Sequence, residues 1–116
     1  WSEAAKNAAL DALTPDLIKL HSGDPGAAGT ANEISGGGYT PQAATFSAAS
    51  GGSRALASAV NFTGTALQAV THISIWKNDT VDVFLARNAV TGDAAFNAAG
   101  EYTVTTSTAL TLSDPA

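Results

Sequence analysis

The chain has no cysteine. That excludes disulfides and thiolate metal sites, and it fits a protein made in a reducing compartment. Cations are scarce. Lys6, Lys19, Arg54, Lys77 and Arg87 are dispersed, and ten acidic residues outweigh them to a net charge of −5. Without a basic patch to neutralise phosphates, nucleic acid is not an expected partner. No apolar run reaches the roughly 18–20 residues that cross a bilayer, so no membrane partner is expected either. No segment shows the charged, apolar and small-residue order of a signal peptide. Large apolar side chains are few as well. The apolar fraction is 45%, but 25 of those residues are alanine, and an alanine buries little surface. A single domain of 116 residues with so lean a core is expected to be modestly stable alone, and oligomerisation is a common remedy. The first residue is Trp1 and not Met, from which we expect processing or trimming ahead of it.

What is present is a series of short β patterns behind one helix. Residues 1–14 read as a short N-terminal helix over "SEAAKNAALDAL" (2–13). Ser2 caps it, Glu3 suits the positive end of its dipole, and Pro15 stops it at Thr14. Trp1, Ala5, Ala8 and Ala12 share a helical face with Leu13 beside it, a face expected to lie against a sheet or another subunit. Strands are expected at 16–21, 43–46, 54–62, 69–76, 81–86, 101–106 and 109–112. The strand at 69–76 has the clearest alternation, and it is expected to pair with 81–86 across "KNDT" (77–80). A long glycine-rich loop spans 22–40. The fold class expected is mainly β: one domain over 1–116, an antiparallel β-sandwich or barrel of jelly-roll type.

The stretch "HSGDPGAAGTANEISGGGY" (21–39) holds the chemistry-bearing residues. His21, Ser22 and Asp24 are the residue types of a catalytic triad. Adjacent residues on a strand point to opposite faces, however, so His21 and Ser22 are expected to diverge. Asp24, Asn32 and Glu33 offer oxygens, but their spacing is not that of an EF-hand. His21 and His72 lack a third ligand for zinc. "GGG" (36–38) lacks the Lys-Ser/Thr of a phosphate loop. No catalytic residue, metal ligand or cofactor is therefore assigned. "GDPG" (23–26) is strong turn chemistry, and the stretch reads best as a shaped connector presented to a partner. His72 is expected to be half-buried, and Trp76 to be either core or interface anchor. "NFT" (61–63) and "NDT" (78–80) match the glycosylation sequon, with nothing else in the sequence to give the match weight.

Taken together, "AAKNAALDAL" and "IKLHSGDPGAAGTANEISGGGY" resemble a family of small virion proteins of tailed bacteriophages, often labelled tail fibre or minor tail proteins in actinobacterial phages. The resemblance rests on Leu20–His21, Gly23 to Gly26, Ala31 to Glu33, Ile34, Ser35 to Gly37 and Tyr39. It extends to "VTHISIW" (70–76) and to "AGEYTVTTSTALTL" (99–112), which is similar to the family's closing hairpin. It covers nearly the whole chain and is most specific at 20–39. Thr40 and Pro41 depart from the family's Ala-Arg. The resemblance implies a β-rich structural protein of the virion, made in the bacterial host cytoplasm, and not an enzyme.

No shaft pattern, repeat or attachment domain is read in these 116 residues. On that ground the expected role is capsid decoration, binding the major capsid protein or other virion proteins on the exterior of the head. A tail fibre, minor tail or receptor-binding module is the alternative. A homo-oligomer is expected, with three copies as the favoured number. Trp1, Leu13, His21, Asp24, Asn32, Glu33, Tyr39 and Trp76 are the expected partner contacts. Trp1 and the helix serve in this reading as a terminal anchor separable from the domain.

Overall fold

A computed structural model describes residues 2–13, 15–51, 53–78, 81–90, 94–105 and 109–111. Among these residues one helix, α1 (Glu3–Leu13), precedes eight strands: β1 (Leu17–His21), β2 (Gln42–Ala43), β3 (Ser53–Ala55), β4 (Val60–Thr63), β5 (His72–Lys77), β6 (Val83–Ala89), β7 (Glu101–Val104) and β8 (Ala109–Thr111). The fold is mainly β and antiparallel, as expected. A four-stranded sheet runs in the order β2-β1-β5-β6, and two-stranded sheets are formed by β3 with β8 and by β4 with β7. They share one core, in which Leu10, Ile18, Leu20, Leu56, Phe62, Val70, Ile75 and Phe96 are almost fully buried.

Each sheet follows from its side-chain pattern. β5 is central and covered on both faces, so Ile73, Ser74, Ile75 and Trp76 are all buried. β4 and β7 alternate strictly. Val60, Phe62, Tyr102 and Val104 point inward, Asn61, Thr63, Glu101 and Thr103 outward, and Phe62 lies opposite Tyr102. That alternation is the mark of strands with one wet face.

Three expectations are corrected. Residues 54–62 are not one strand. The chain bends at Ala57–Ser58, leaves β3 and enters a different sheet as β4, because continuing straight would keep it beside β8 and away from β7. The segment 99–112 is not a closing hairpin, since β7 pairs with β4 and β8 pairs with β3. The strand at 43–46 shrinks to the two residues of β2 plus an isolated bridge from Phe46 to Leu56.

Helix α1 also turns a different face inward. Ser2 caps it as expected, accepting the Ala5 N–H at 3.1 Å. Ala5, Ala8 and Ala12, however, are exposed, and the docked stripe is Lys6, Leu10 and Leu13, with Leu10 buried. Leucine at the middle of that stripe removes far more apolar surface than alanine does, so it decides the rotation of the helix. Arg54 of β3 fixes the helix end. Its guanidinium donates to the carbonyls of Leu10 (3.2 Å), Ser47 (3.0 Å) and Phe46 (3.4 Å). Asp11 and Glu3 accept backbone N–H groups of Ala49 (2.8 Å) and Gly51 (3.2 Å). The helix is thus a wall of the core and not a separable arm. Trp1 and Thr14 lie outside the described residues.

Removing the guanidinium should strand the Leu10 carbonyl of the helix and the Phe46 and Ser47 carbonyls of the segment beside it. Arg54→Ala is expected to cost about 2 kcal/mol in denaturant unfolding. Arg54→Lys is expected to recover little of it, because a single ammonium cannot reproduce the fork.

Candidate functional site

The 21–39 stretch folds back along the outer edge of β1 and closes it. His21 bridges to Glu33. The Ser22 N–H donates to Asn32 O (2.9 Å) and the Ile34 N–H to Leu20 O (3.0 Å). The remaining edge donor, the Leu20 N–H, is met by the Tyr39 hydroxyl at 2.9 Å. That hydroxyl in turn donates to the Glu33 carboxylate at 3.1 Å. Burial first, and then the nearby Glu33 charge, push the Tyr39 pKa far above its ordinary value, so the phenol keeps the proton it donates. A segment that reads as loop therefore satisfies a strand edge.

His21 anchors this closure from below. It is fully buried, and its Nδ1 lies 2.8 Å from Ala31 O. A carbonyl only accepts, so Nδ1 carries the hydrogen. Nε2, 2.7 Å from Ser74 Oγ, is then an acceptor for the Ser74 hydroxyl. Ser74 Oγ also accepts from Trp76 Nε1 at 2.6 Å. The result is one directed chain: Trp76 N–H to Ser74 O–H to His21, and His21 N–H to Ala31 O. Each member satisfies the next, which is what a buried polar group requires. Burial lowers the His21 pKa, against the opposing effects of the Ala31 bond and Glu33.

Above the sheet, the backbone leading into the Gly26–Gly29 turn is held by Asp24. Its Oδ1 accepts the Gly26 N–H (2.9 Å) and pairs with Arg87 (3.1 Å). The Gly26 bond, ahead of Arg87, holds the Asp24 carboxyl below its usual range. Asn32, at φ 59°, donates from Nδ2 to Asp24 O at 3.1 Å. Gly29 is pressed onto Phe84, where a Cβ would stand 2.3 Å from the ring at φ +74°. Phe84 tilts against Trp76 with ring centroids 5.2 Å apart. Lys19 lies over the same indole at 4.1 Å and pairs with Asp82 at 3.3 Å. Gly37 approaches the Gly64–Thr65 backbone so closely that a Cβ would meet it at 2.3 Å. Glycine is used at these two positions because the chain passes where no side chain fits.

His21 and Ser22 diverge as expected: one is buried and the other exposed. Asp24, Asn32 and Glu33 are all exposed and do not converge. Asp24 holds a turn and an arginine, Asn32 holds the Asp24 carbonyl, and Glu33 holds a tyrosine. His72 is half-buried and opposite His21 in the β1–β5 register, with Nδ1 2.9 Å from the Thr71 hydroxyl. Trp76 is buried, while Tyr39 and Leu13 are half-buried. Ser74 and Arg87 were not legible as site residues. A small polar residue inside the apolar run "HISIW" was the one available signal for Ser74.

A family model described as "Podophage GP4 fiber I protein gp80" matches residues 2–113. The chain belongs to this phage fibre family. It is a phage structural protein, in agreement with the sequence resemblance. No curated protein and no solved structure matches the chain significantly.

Two outcomes follow from this geometry. The unfolded chain protonates its histidine near pH 6.5 while buried His21 stays neutral. The stabilisation is therefore complete above about pH 6.5 and is lost as the pH falls through the lowered folded value. Melting temperature is expected to drop over that window. His21→Asn, which titrates in neither state, is expected to start lower but to flatten the slope, and equal slopes would refute the assignment. In chemical unfolding, Gly38→Ala adds only the strain of φ +83° with nothing within 4 Å, about 1 kcal/mol. Gly29→Ala is expected to cost clearly more, because it displaces Phe84 as well.

Proposed function

We propose that this chain is a fibre component of a tailed-phage virion that works by protein–protein contact and not by catalysis. The observation that carries the reading is the family match over residues 2–113. It favours the fibre over the head-decorating role expected from the sequence. The geometry supports a non-enzymatic role. Of the residues that suggested chemistry in the 21–39 stretch, His21 is engaged with Ala31 and with Ser74 of β5, Asp24 with Gly26 and Arg87, and Glu33 with Tyr39, while Ser22 is exposed and points away from His21. An immobilised nucleophile or base needs access to a substrate, and His21 and Ser74 are sealed from solvent.

Mechanistically, a fibre domain contributes binding energy. It is stabilised by its neighbours in the assembly as it stabilises them. Other virion proteins and further copies of this chain are its partners in this reading. The exposed part of the strap, Asp24, Asn32 and Glu33, is a contact surface held in shape before any partner arrives, which limits the ordering cost of binding. An actinobacterial host and synthesis in its cytoplasm belong to the same proposal and rest on the sequence resemblance.

Immunogold labelling of purified virions, with copy number measured against the major capsid protein, tests the reading. Label on the tail appendages at a copy number far below that of the capsid protein is the expected result. Label over the head at a copy number comparable to the capsid protein would overturn it in favour of decoration.

A further inference from the structure

Among the described residues, the backbone positions with φ in the left-handed region are occupied by seven glycines, by Asn32 and by Leu67. Glycine and asparagine take this conformation at small cost, whereas in leucine the Cβ crowds the following carbonyl. Leu67 stands at φ 64° and is 72% exposed, so no packing within the chain offsets that crowding. The conformation is imposed by its surroundings. Residues 65–68 form a turn closed by the Gln68 N–H on Thr65 O at 3.2 Å, and Leu67 is its third residue, where a positive φ ordinarily selects glycine. The Leu67 N–H donates to Asn97 O (3.3 Å), the Phe96 N–H to Gln68 O (2.8 Å) and the Gly64 N–H to Gly100 O (2.8 Å). Asn97 Oδ1 accepts the N–H groups of Ala99 (2.9 Å) and Glu101 (3.0 Å), which shapes the second loop. Two loops tied in this way hold the leucine side chain out from the body of the protein.

We propose that Leu67 is an anchor that inserts into an uncharged apolar pocket of a different virion protein. Backbone strain that the fold itself does not use points to a function outside the chain. The charge pattern selects the occupant. The two loops, 64–69 and 94–100, contain no charged side chain, although the chain carries a net charge of −5. Thr65, Ala66, Ala95, Asn97 and Ala98 are exposed there, so Leu67 projects from a neutral, small-residue surface. Depletion of charge is the composition of an interface core between proteins, and neutrality on this side is complementary to neutrality on the other. The same surface offers no cation to meet a lipid phosphate. The groove of this chain at the helix end, lined by Asp11, Asp16, Thr45 and Arg54, is charged, so a second copy does not supply the pocket there. The loops are already fixed by their own hydrogen bonds, which spares the ordering cost of binding. This inference rests on the virion reading for the class of partner. Virions without label would fail that reading, whereas labelled virions that retain Leu67 variants normally would fail this inference alone.

The test sets stability against assembly. In the purified full chain, Leu67→Asn and Leu67→Gly each relieve the turn, and each is expected to raise the melting temperature by about 3 °C. In virions grown with the variant in place of the natural chain, each is expected to lower the amount retained about tenfold, the change for losing one buried leucine side chain. A gain in stability with a loss of retention is a pair of results that a merely structural leucine does not give. Benzoylphenylalanine placed at position 67 and irradiated in assembled virions is expected to cross-link to one segment of a different virion protein. The same photoreactive residue at position 58, on another exposed bend, is expected not to reach that segment. A lower melting temperature in Leu67→Asn, undiminished retention of it, cross-links confined to copies of this chain, or no cross-link at all would each overturn the proposal.

Discussion

The hydrogen-bond chain through His21 is the constraint on which the rest of the arrangement depends. A histidine and a serine lie fully buried between β1, β5 and the strap. Each would be costly there without a partner. The cost is avoided because three residues from two strands, and one carbonyl from the strap, form a sequence with a single direction. The direction starts at the indole N–H of Trp76, which can only donate, and ends at Ala31 O, which can only accept. Those two fixed ends dictate the tautomer of His21 and the rotamer of the Ser74 hydroxyl. They also require Ala31 to be where it is, and that position sets the path of the glycine-rich segment around it.

Once Ala31 is fixed, the strap must pass within touching distance of Phe84 on one side and of the Gly64–Thr65 backbone on the other. Gly29 and Gly37 stand at those passages. The same path brings Ile34 and Tyr39 to the outer edge of β1, where the Tyr39 hydroxyl takes the place of a strand carbonyl. A glycine-rich stretch with chemistry-bearing residues thus does structural work at close quarters. What it presents outward is a shaped polar surface, suited to a protein that acts by contact in an assembly.

Much of this was legible in the sequence where one local signal sufficed. The first strand, the Ser2 cap and the stop before Pro15 rest on nearest-neighbour chemistry, and the structure has them; the strand expected at 69–76 is present as His72–Lys77, and the turn expected at 23–26 falls one step later, at Gly26–Gly29. The divergence of His21 and Ser22 follows from strand geometry alone. The misses share a different cause. The break between β3 and β4 at Ala57–Ser58, and the separation of β7 from β8, are set by which distant strand is available to pair. The helix was read by its alanine stripe, but the leucine at position 10 gains more from burial than any one of those alanines. The Arg54 anchor and the partnership of His21 with Ser74 join residues 44 and 53 positions apart, a separation at which sequence pattern carries no information.

The central claim is most directly tested at the His21 ring itself. Long-range proton–nitrogen correlation NMR at neutral pH distinguishes which ring nitrogen bears the hydrogen. A neutral ring with the hydrogen on Nδ1 and a bare Nε2 is the result required by the directed chain from Trp76 to Ala31. A hydrogen on Nε2, or an imidazolium averaging with solvent at that pH, would contradict it. The strap would then have to be held in place by something other than this histidine.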